Sequence, residues 1–251
     1  MEDIGNNINL LNHFELHPIV ELNLFGIDFS INQAVIWIWI GSGIVCFLLL
    51  LAARTMKRHP AGIQNFVEMI VEFSMKGLIL DVIGEEGRPW FPIIATIFLF
   101  IMTVNFLGLI PGSYTATTNI NVTASLALVV FLVVQWTGIS RHGLKNYLKG
   151  FIPTGVPRWI LPILIPIEVI GMLTKPFSLA VRLFANMLAG HMVILGLLTI
   201  IILFKSYLIA PVPIAGVIVI SGFEIFVSFI QAYIFAILTA SYIAEAVHAS
   251  H

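Results

Sequence analysis

Ile163–Phe204 reads ILIPIEVIGMLTKPFSLAVRLFANMLAGHMVILGLLTIIILF, an apolar stretch in which the only Asp, Glu, Lys or Arg are Glu168, Lys175 and Arg182. As one helix this stretch would measure about 60 Å, twice the hydrocarbon thickness of a bilayer. Ile209–Val247 is nearly as long and poses the same problem. Either each stretch breaks into two ordinary spans, or each forms one overlong helix. Pro176 is a kink point in the first, yet no cluster of Gly, Pro and Asn marks a loop inside either stretch. The sequence therefore predicts two overlong, strongly tilted helices paired as a hairpin that turns near Lys205–Leu208. Four ordinary spans are the competing reading.

The rest of the chain agrees with a membrane setting. Of its 251 residues 59% are hydrophobic and 10% charged, and the mean hydropathy is +1.02. Soluble domains carry about 25% charged residues, so there is too little polarity here for a soluble exterior. Ala34–Ala53 carries no charge and is long enough for one span. Pro89–Pro111, interrupted by Asn105, is a second, and Val122–Ile139, containing Gln135, is a third. Gln64–Gly84 differs: Glu68, Glu72 and Lys76 recur every four residues, with Phe66, Ile70, Phe73 and Leu80 supplying apolar surface. That pattern suits an amphipathic helix at the interface, or one packed on a partner subunit. The expected class is an all-α membrane protein with five membrane-embedded helices plus this interfacial helix. Cys46 is the only cysteine, which excludes a disulfide framework and a cysteine metal site. The segment before Ala34 holds Glu2, Asp3, Glu15, Glu21 and Asp28 but no Lys or Arg, the reverse of a secretory signal.

Basic residues predict orientation. Arg54, Lys57, Arg58, Lys76 and Arg88 fall in one connection, and Arg141, Lys145, Lys149 and Arg158 in another. Five spans then place an acidic N-terminus outside and the C-terminus, with Glu245, His248 and His251, inside. The expected organisation is a single polytopic domain over 1–251. Residues 1–33 form an outer segment, 34–159 the first three spans with their basic inner loops, and 160–251 the tilted hairpin.

Within the hairpin the polar residues align. At 100° per residue, Glu168, Lys175, Arg182 and Asn186 fall within about 40° of one another. On the following helix Ser221, Glu224, Ser228 and Gln231 form a second stripe. In an antiparallel pair, level residues have equal sums of residue numbers. Arg182 with Gln231, Asn186 with Ser228 and His191 with Glu224 nearly satisfy this, all turning about Tyr207. His191 resists, lying about 180° from Arg182. It reaches Glu224 if the helices cross or twist, or else it lines a separate cavity.

Arg182 carries a permanent cation, which costs roughly 2.5–3.5 kcal/mol in a bilayer on insertion scales. It cannot relay protons, so its task must be electrostatic: holding a carboxylate in the membrane and keeping mobile protons away. Glu168 lies about 21 Å away along an ideal helix, too far to pair with it. The chain offers no second buried carboxylate level with Arg182, so the anion it meets is expected on another subunit. His191 with Glu224 is a pair suited to proton handling, since imidazole titrates near neutrality. Blander readings exist for the others. Glu168, after Pro162 and Pro166, can sit among head groups; Lys175 can snorkel; Asn186 and Gln231 can be interhelical hydrogen-bond glue.

Lys175-Pro-Phe-Ser-Leu-Ala-Val-Arg182-Leu-Phe-Ala-Asn186-Met-Leu-Ala-Gly-His191 resembles the signature of subunit a of F-type ATP synthases. Gln231-Ala-Tyr-Ile-Phe235 is similar to that family's second signature, and His17-Pro18, Asn105-Phe-Leu-Gly-Leu-Ile-Pro111 and Asn119-Ile-Asn-Val-Thr123 also fit. The resemblance implies a proton-conducting stator subunit with two offset half-channels. Arg182 would face a rotating ring of c subunits and block a direct leak, with Asn186 and Gln231 as its polar neighbours and Ser228 as a weaker candidate. Glu168 would belong to the inner half-channel, and His191 with Glu224 to the outer. Some family members carry this outer pair with Glu and His exchanged, leaving open which residue is the effective relay. The implied partners are the c-ring, the peripheral-stalk subunit b, other ATP synthase subunits and the lipid bilayer. ATP synthesis would occur on other subunits, in an energy-coupling membrane such as a bacterial plasma membrane.

No cofactor, metal or nucleic acid is expected. His13 and His17 have metal-capable i,i+4 spacing but fit the family's N-terminal segment. Asn121-Val122-Thr123 matches a glycosylation acceptor but abuts a span. The chain has no phosphate-binding glycine loop and no nucleophile–base arrangement. A self-contained proton-coupled carrier or ion channel is the alternative from another class, and a purely structural assembly subunit is a third.

Overall fold

The computed structural model describes residues 18–21, 23–24, 27–28, 30–54, 62–110, 112–145, 147, 160–204 and 210–248. Five of its helices are long and apolar enough to cross a membrane, and the fold is an all-α membrane protein. The hairpin's turn at Lys205–Leu208, the His13/His17 pair and the basic residues Lys57, Arg58, Lys149 and Arg158 lie outside the described residues.

Two short antiparallel pairs precede the first helix. β1 (Pro18–Val20) pairs with β4 (Ile31–Asn32), and β2 (Asn23–Leu24) with β3 (Ile27–Asp28). Asn32 then caps α1 (Gln33–Arg54): its side-chain oxygen accepts the Val35 N–H at 3.1 Å, satisfying one orphan donor of the first turn. The interfacial segment forms α2 (Ile63–Phe73), continued by a π-helical turn at Ser74–Leu80. A 3₁₀ turn, Glu85–Trp90, leads into α3 (Phe91–Gly108), the second span. The third span is α4, Ile120–His142.

The two long stretches each form one helix. α5 runs from Leu161 to Phe204 over 44 residues and α6 from Pro211 to His248 over 38. The four-span alternative is thereby excluded. Pro166 and Pro176 lie inside α5 without ending it. Neither proline donates an N–H, but each costs the helix only one bond, which a membrane helix tolerates when neighbours stabilise it.

The described residues group into two compact units. The first comprises Met1–Phe47, Phe100–Ile120 and Leu183–Ala232; the second Leu48–Leu99, Asn121–Arg182 and Tyr233–His251. In the second, α2 packs through Phe73, whose ring lies 5.8 Å from Phe98 and 5.6 Å from Tyr233. Leu78 and Ile79 of the π-helical turn are fully buried. This segment therefore buries part of its apolar side on its own chain, while Met69 and Phe73 remain exposed. Polarity is inverted relative to a soluble fold. Ile163 and Phe177 of α5 and Val212 and Val219 of α6 are exposed, whereas Glu224, Ser228 and Gln231 of α6 are buried. Apolar side chains outward and polar ones inward is the arrangement lipid selects.

Candidate functional site

In the first unit, polar groups converge where α5 and α6 meet. His191 Nδ1 lies 2.5 Å from Glu224 Oε1, and Glu224 is only 3% exposed. Gly190 makes this possible, since a Cβ there would stand 2.6 Å from the same carboxylate oxygen. His191 Nε2 faces the Gly108 carbonyl at 3.3 Å and also contacts Thr115 Oγ1. Thr115 in turn donates its hydroxyl to the Gly108 carbonyl at 3.1 Å. One turn away, Asn186 Nδ2 donates to Gln231 Oε1 at 2.7 Å. Ser228 turns its hydroxyl to the Met187 sulfur at 3.9 Å.

These contacts refine the pairing expected from residue numbering. His191 and Glu224 meet as that rule predicts. Asn186 meets Gln231 rather than Ser228, so Gln231 is engaged one helical turn from the position level with Arg182. The difficulty with His191 is resolved by the width of the contact. Met187 is fully buried and Gly190 lies against Glu224, so these two mark the contact line on α5. On an ideal helix Asn186 and His191 then fall on the two margins of a face about 140° wide. Neither a local twist nor a separate cavity is needed.

Several polar atoms in this unit have no partner. Glu224 Oε2, Gln231 Nε2 and Asn105 Nδ2 are buried and make no hydrogen bond among the described residues. A buried unsatisfied group costs about 1–3 kcal/mol. Two of the three, Glu224 and Gln231, share one stripe of α6.

The second unit holds the remaining candidates. Arg182 donates through Nη2 to Ser178 Oγ of its own helix at 3.4 Å, a long bond. Among the described residues no carboxylate pairs with Arg182. Lys175, read from the sequence as a snorkelling side chain, forms an ion pair with Glu245 and lies 5.2 Å from the centroid of the Tyr242 ring. A pocket of about 310 Å³ opens beside it, lined in part by Gln135, Tyr147, Glu168, Lys175, Tyr242 and Glu245. Tyr147 donates to Gln135 at 2.5 Å, and burial pushes its phenol above the ordinary tyrosine value. Glu168, itself exposed, thus borders a mainly apolar pocket that also carries several polar side chains. Sequence reasoning missed Thr115 and Glu245. Thr115 belongs to no helical stripe that periodicity could reveal; Glu245 lies about 40° from Gln231 on α6, but its pairing with Lys175 is found only through a contact between distant segments.

Residues 35–244 match the family model described as ATP synthase A chain. A protein of Rubrobacter xylanophilus named ATP synthase subunit a is 42% identical over 92% of this chain and 90% of its own length. Proteins of the same name are 40% identical in Magnetococcus marinus, over 95% and 92%, and 41% identical in Orientia tsutsugamushi, over 96% and 98%. A polytopic chain with polar groups enclosed at the meeting of two long helices, and matched along nearly its whole length, belongs to the ATP synthase A chain family, subunit a of the F-type complex, a non-catalytic membrane subunit.

Proposed function

We propose that this chain conducts protons across the membrane through two offset half-channels that load and unload carboxylates on a rotating ring of c subunits. The observation that carries the proposal is Arg182, an intramembrane guanidinium with no carboxylate partner among the described residues. A permanent cation on an apolar helix gains most from an anion supplied by another subunit. In this reading it attracts each ring carboxylate in turn and repels free protons, so ions cross only by riding the ring. Asn186 and Gln231 serve as its polar neighbours at that face. The pocket around Glu168 opens to the inner side, and the His191–Glu224 cluster opens to the outer side. The basic connections face inward, with the N-terminus outside and the C-terminus inside, in a bacterial plasma membrane. Subunit b and further ATP synthase subunits complete the assembly, and the chain forms one membrane domain.

Arg182→Ala and Arg182→Lys complexes should assemble but lose ATP-driven pumping. A pumping Arg182→Ala complex would reject the proposal, as would passive conduction by the chain reconstituted without a c-ring. Cysteines placed at Asn186 should crosslink to the c subunit in the intact complex.

A further inference from the structure

The pocket of the second unit combines apolar walls with an uneven set of charges. Val130 and Leu179 are buried in its wall, beside Phe131 and Met172. Glu168, Lys175 and Glu245 border it, two carboxylates against one ammonium. Lys175 is already paired with Glu245 and lies 5.2 Å from the centroid of the Tyr242 ring. Glu168 is exposed and makes no hydrogen bond or ion pair among the described residues. It stands seven residues from Lys175 on the same face of α5, about 10 Å along the axis, too far for one ammonium to serve both carboxylates. The unmatched negative charge therefore sits on Glu168. Ile163, Ile167 and Ile170 of the same helix are exposed, so this carboxylate stands on a segment that otherwise meets lipid. A carboxylate in that setting is costly until a cation meets it.

The complementary occupant is cationic at one end and apolar at the other. A lipid with an anionic headgroup would be repelled by the unmatched carboxylate, whereas a zwitterion with a terminal ammonium would be attracted. Resting on the half-channel reading, which sets Glu168 toward the inner side, we infer that this pocket binds an ethanolamine phospholipid of the inner leaflet. Its ammonium has three N–H donors, as a lysine does, and bonds to Glu168. The phosphate that follows takes a Lys175 donor not spent on Glu245. The glycerol lies against Phe131, Met172 and Leu179. The cavity volume of about 310 Å³ is at the small end for an organic ligand, room for a headgroup and glycerol but not for a whole lipid. The acyl chains run outside it, along the exposed isoleucines. A choline headgroup carries the same charge but has no N–H to donate, and a glycerol headgroup leaves the lipid anionic. Bound there, the ethanolamine lipid closes the pocket toward the acyl chains, so water and protons enter it from the aqueous side.

The test is photolabelling of the assembled complex in liposomes, with assembly scored by co-purification of the c-ring. Three probes carry the same diazirine next to the glycerol: phosphatidylethanolamine, phosphatidylcholine and phosphatidylglycerol. Mass spectrometry reads labelling at Phe131 and Met172 in the pocket, and at Trp39 and Phe47, exposed residues of α1, as the reference for bulk lipid. Relative to that reference, the ethanolamine probe should label the pocket at least about tenfold more than the glycerol probe, with choline between them, because only ethanolamine makes the charge-assisted bond. Glu168→Gln should bring the ethanolamine probe down to the glycerol level. Gly171→Phe should lower pocket labelling by all three probes. A Cβ at Gly171 meets nothing within 4 Å, so the new side chain has room to enter the pocket it lines. Equal labelling by the three probes, a preference for the glycerol probe, or an ethanolamine signal unchanged in Glu168→Gln would each overturn the lipid site and leave the half-channel reading intact. Passive proton conduction in the same liposomes without a c-ring would instead sink the half-channel reading, whichever lipid is labelled.

Discussion

Two of the ion pairs among the described residues make a natural contrast. His191–Glu224 is enclosed, with side chains 19% and 4% exposed; Lys175–Glu245 is open, at 40% and 59%. The first is braced by a helix-terminal carbonyl, a threonine hydroxyl and a glycine that lets the carboxylate approach. The second borders a pocket and lies over a tyrosine ring. Breaking a buried pair commonly costs about 3–5 kcal/mol, whereas an exposed one is worth about 0–1 kcal/mol. Enclosure therefore separates a pair whose geometry is imposed from one that solvent screens and whose members can part. The enclosed pair is held in one arrangement, and the open pair sits at the edge of the pocket that Glu168 lines.

The largest effect should come from removing the room that the enclosed pair needs. Gly190→Val places bulk where a Cβ would already stand 2.6 Å from Glu224 Oε1, so the carboxylate must leave His191. Proton conduction by the assembled complex should fall by about 100-fold, the scale of a displaced acid–base group. Undiminished conduction would mean that the close approach is incidental.

Next is Asn186→Leu. Gln231 is buried and its amide nitrogen is already unsatisfied, so the substitution leaves both ends of the amide unpaired. A loss of about 1–3 kcal/mol is expected, read from thermal unfolding of the purified complex. Asn186→Leu combined with Gln231→Leu should recover much of it, since two apolar groups leave nothing buried and unpaired. Additive losses in the double variant would show that the contact does not carry the cost.

The open pair should be the milder counterpart. Lys175→Gln and Glu245→Gln should each change stability by under about 1 kcal/mol, with the difference vanishing in high salt. If Lys175→Gln impaired conduction as severely as Gly190→Val, the distinction between enclosed and open pairs would fail.

Which parts of this were legible beforehand follows from the kind of signal each residue leaves. The membrane class, the five spans and the two overlong helices were readable because apolar length is a local property of the chain. The His191–Glu224 meeting was readable because an antiparallel pair obeys simple arithmetic. The same arithmetic set Asn186 against Ser228, where the structure has Gln231, because a numbering rule fixes level but not which margin of a helix a side chain leaves from. Thr115 left no signal at all. It sits in the connection between α3 and α4, and its role arises only when that connection brings its hydroxyl to a carbonyl at the end of α3. Glu245 near the end of α6 was read as an inner-side charge, and its pairing with Lys175 depends on how two helices lie, which periodicity does not encode.

The smallest effect lies outside the spans and marks the fully exposed end of the same scale. Lys76 donates to Glu72 at 2.5 Å, with side chains 69% and 65% exposed. The hydrogen bond and charge of Lys76 hold the Glu72 carboxyl below its ordinary value, and Glu72 likewise holds the Lys76 ammonium above its own. A depressed carboxyl stabilises the fold above its unfolded pKa, and that contribution is lost as pH falls through the folded value. A raised ammonium stabilises below its unfolded pKa, and that contribution is lost as pH rises through the folded value. Between those limits the pair is whole, so any benefit over Glu72→Gln belongs at neutral pH and low salt. Melting curves of wild type and Glu72→Gln should draw together as pH falls below the ordinary glutamate value and through the depressed one, and also in about 1 M salt, where the Debye length is near 3 Å. A difference that persists under both conditions would mean that Glu72 acts through packing of its methylene groups on α2 rather than through charge.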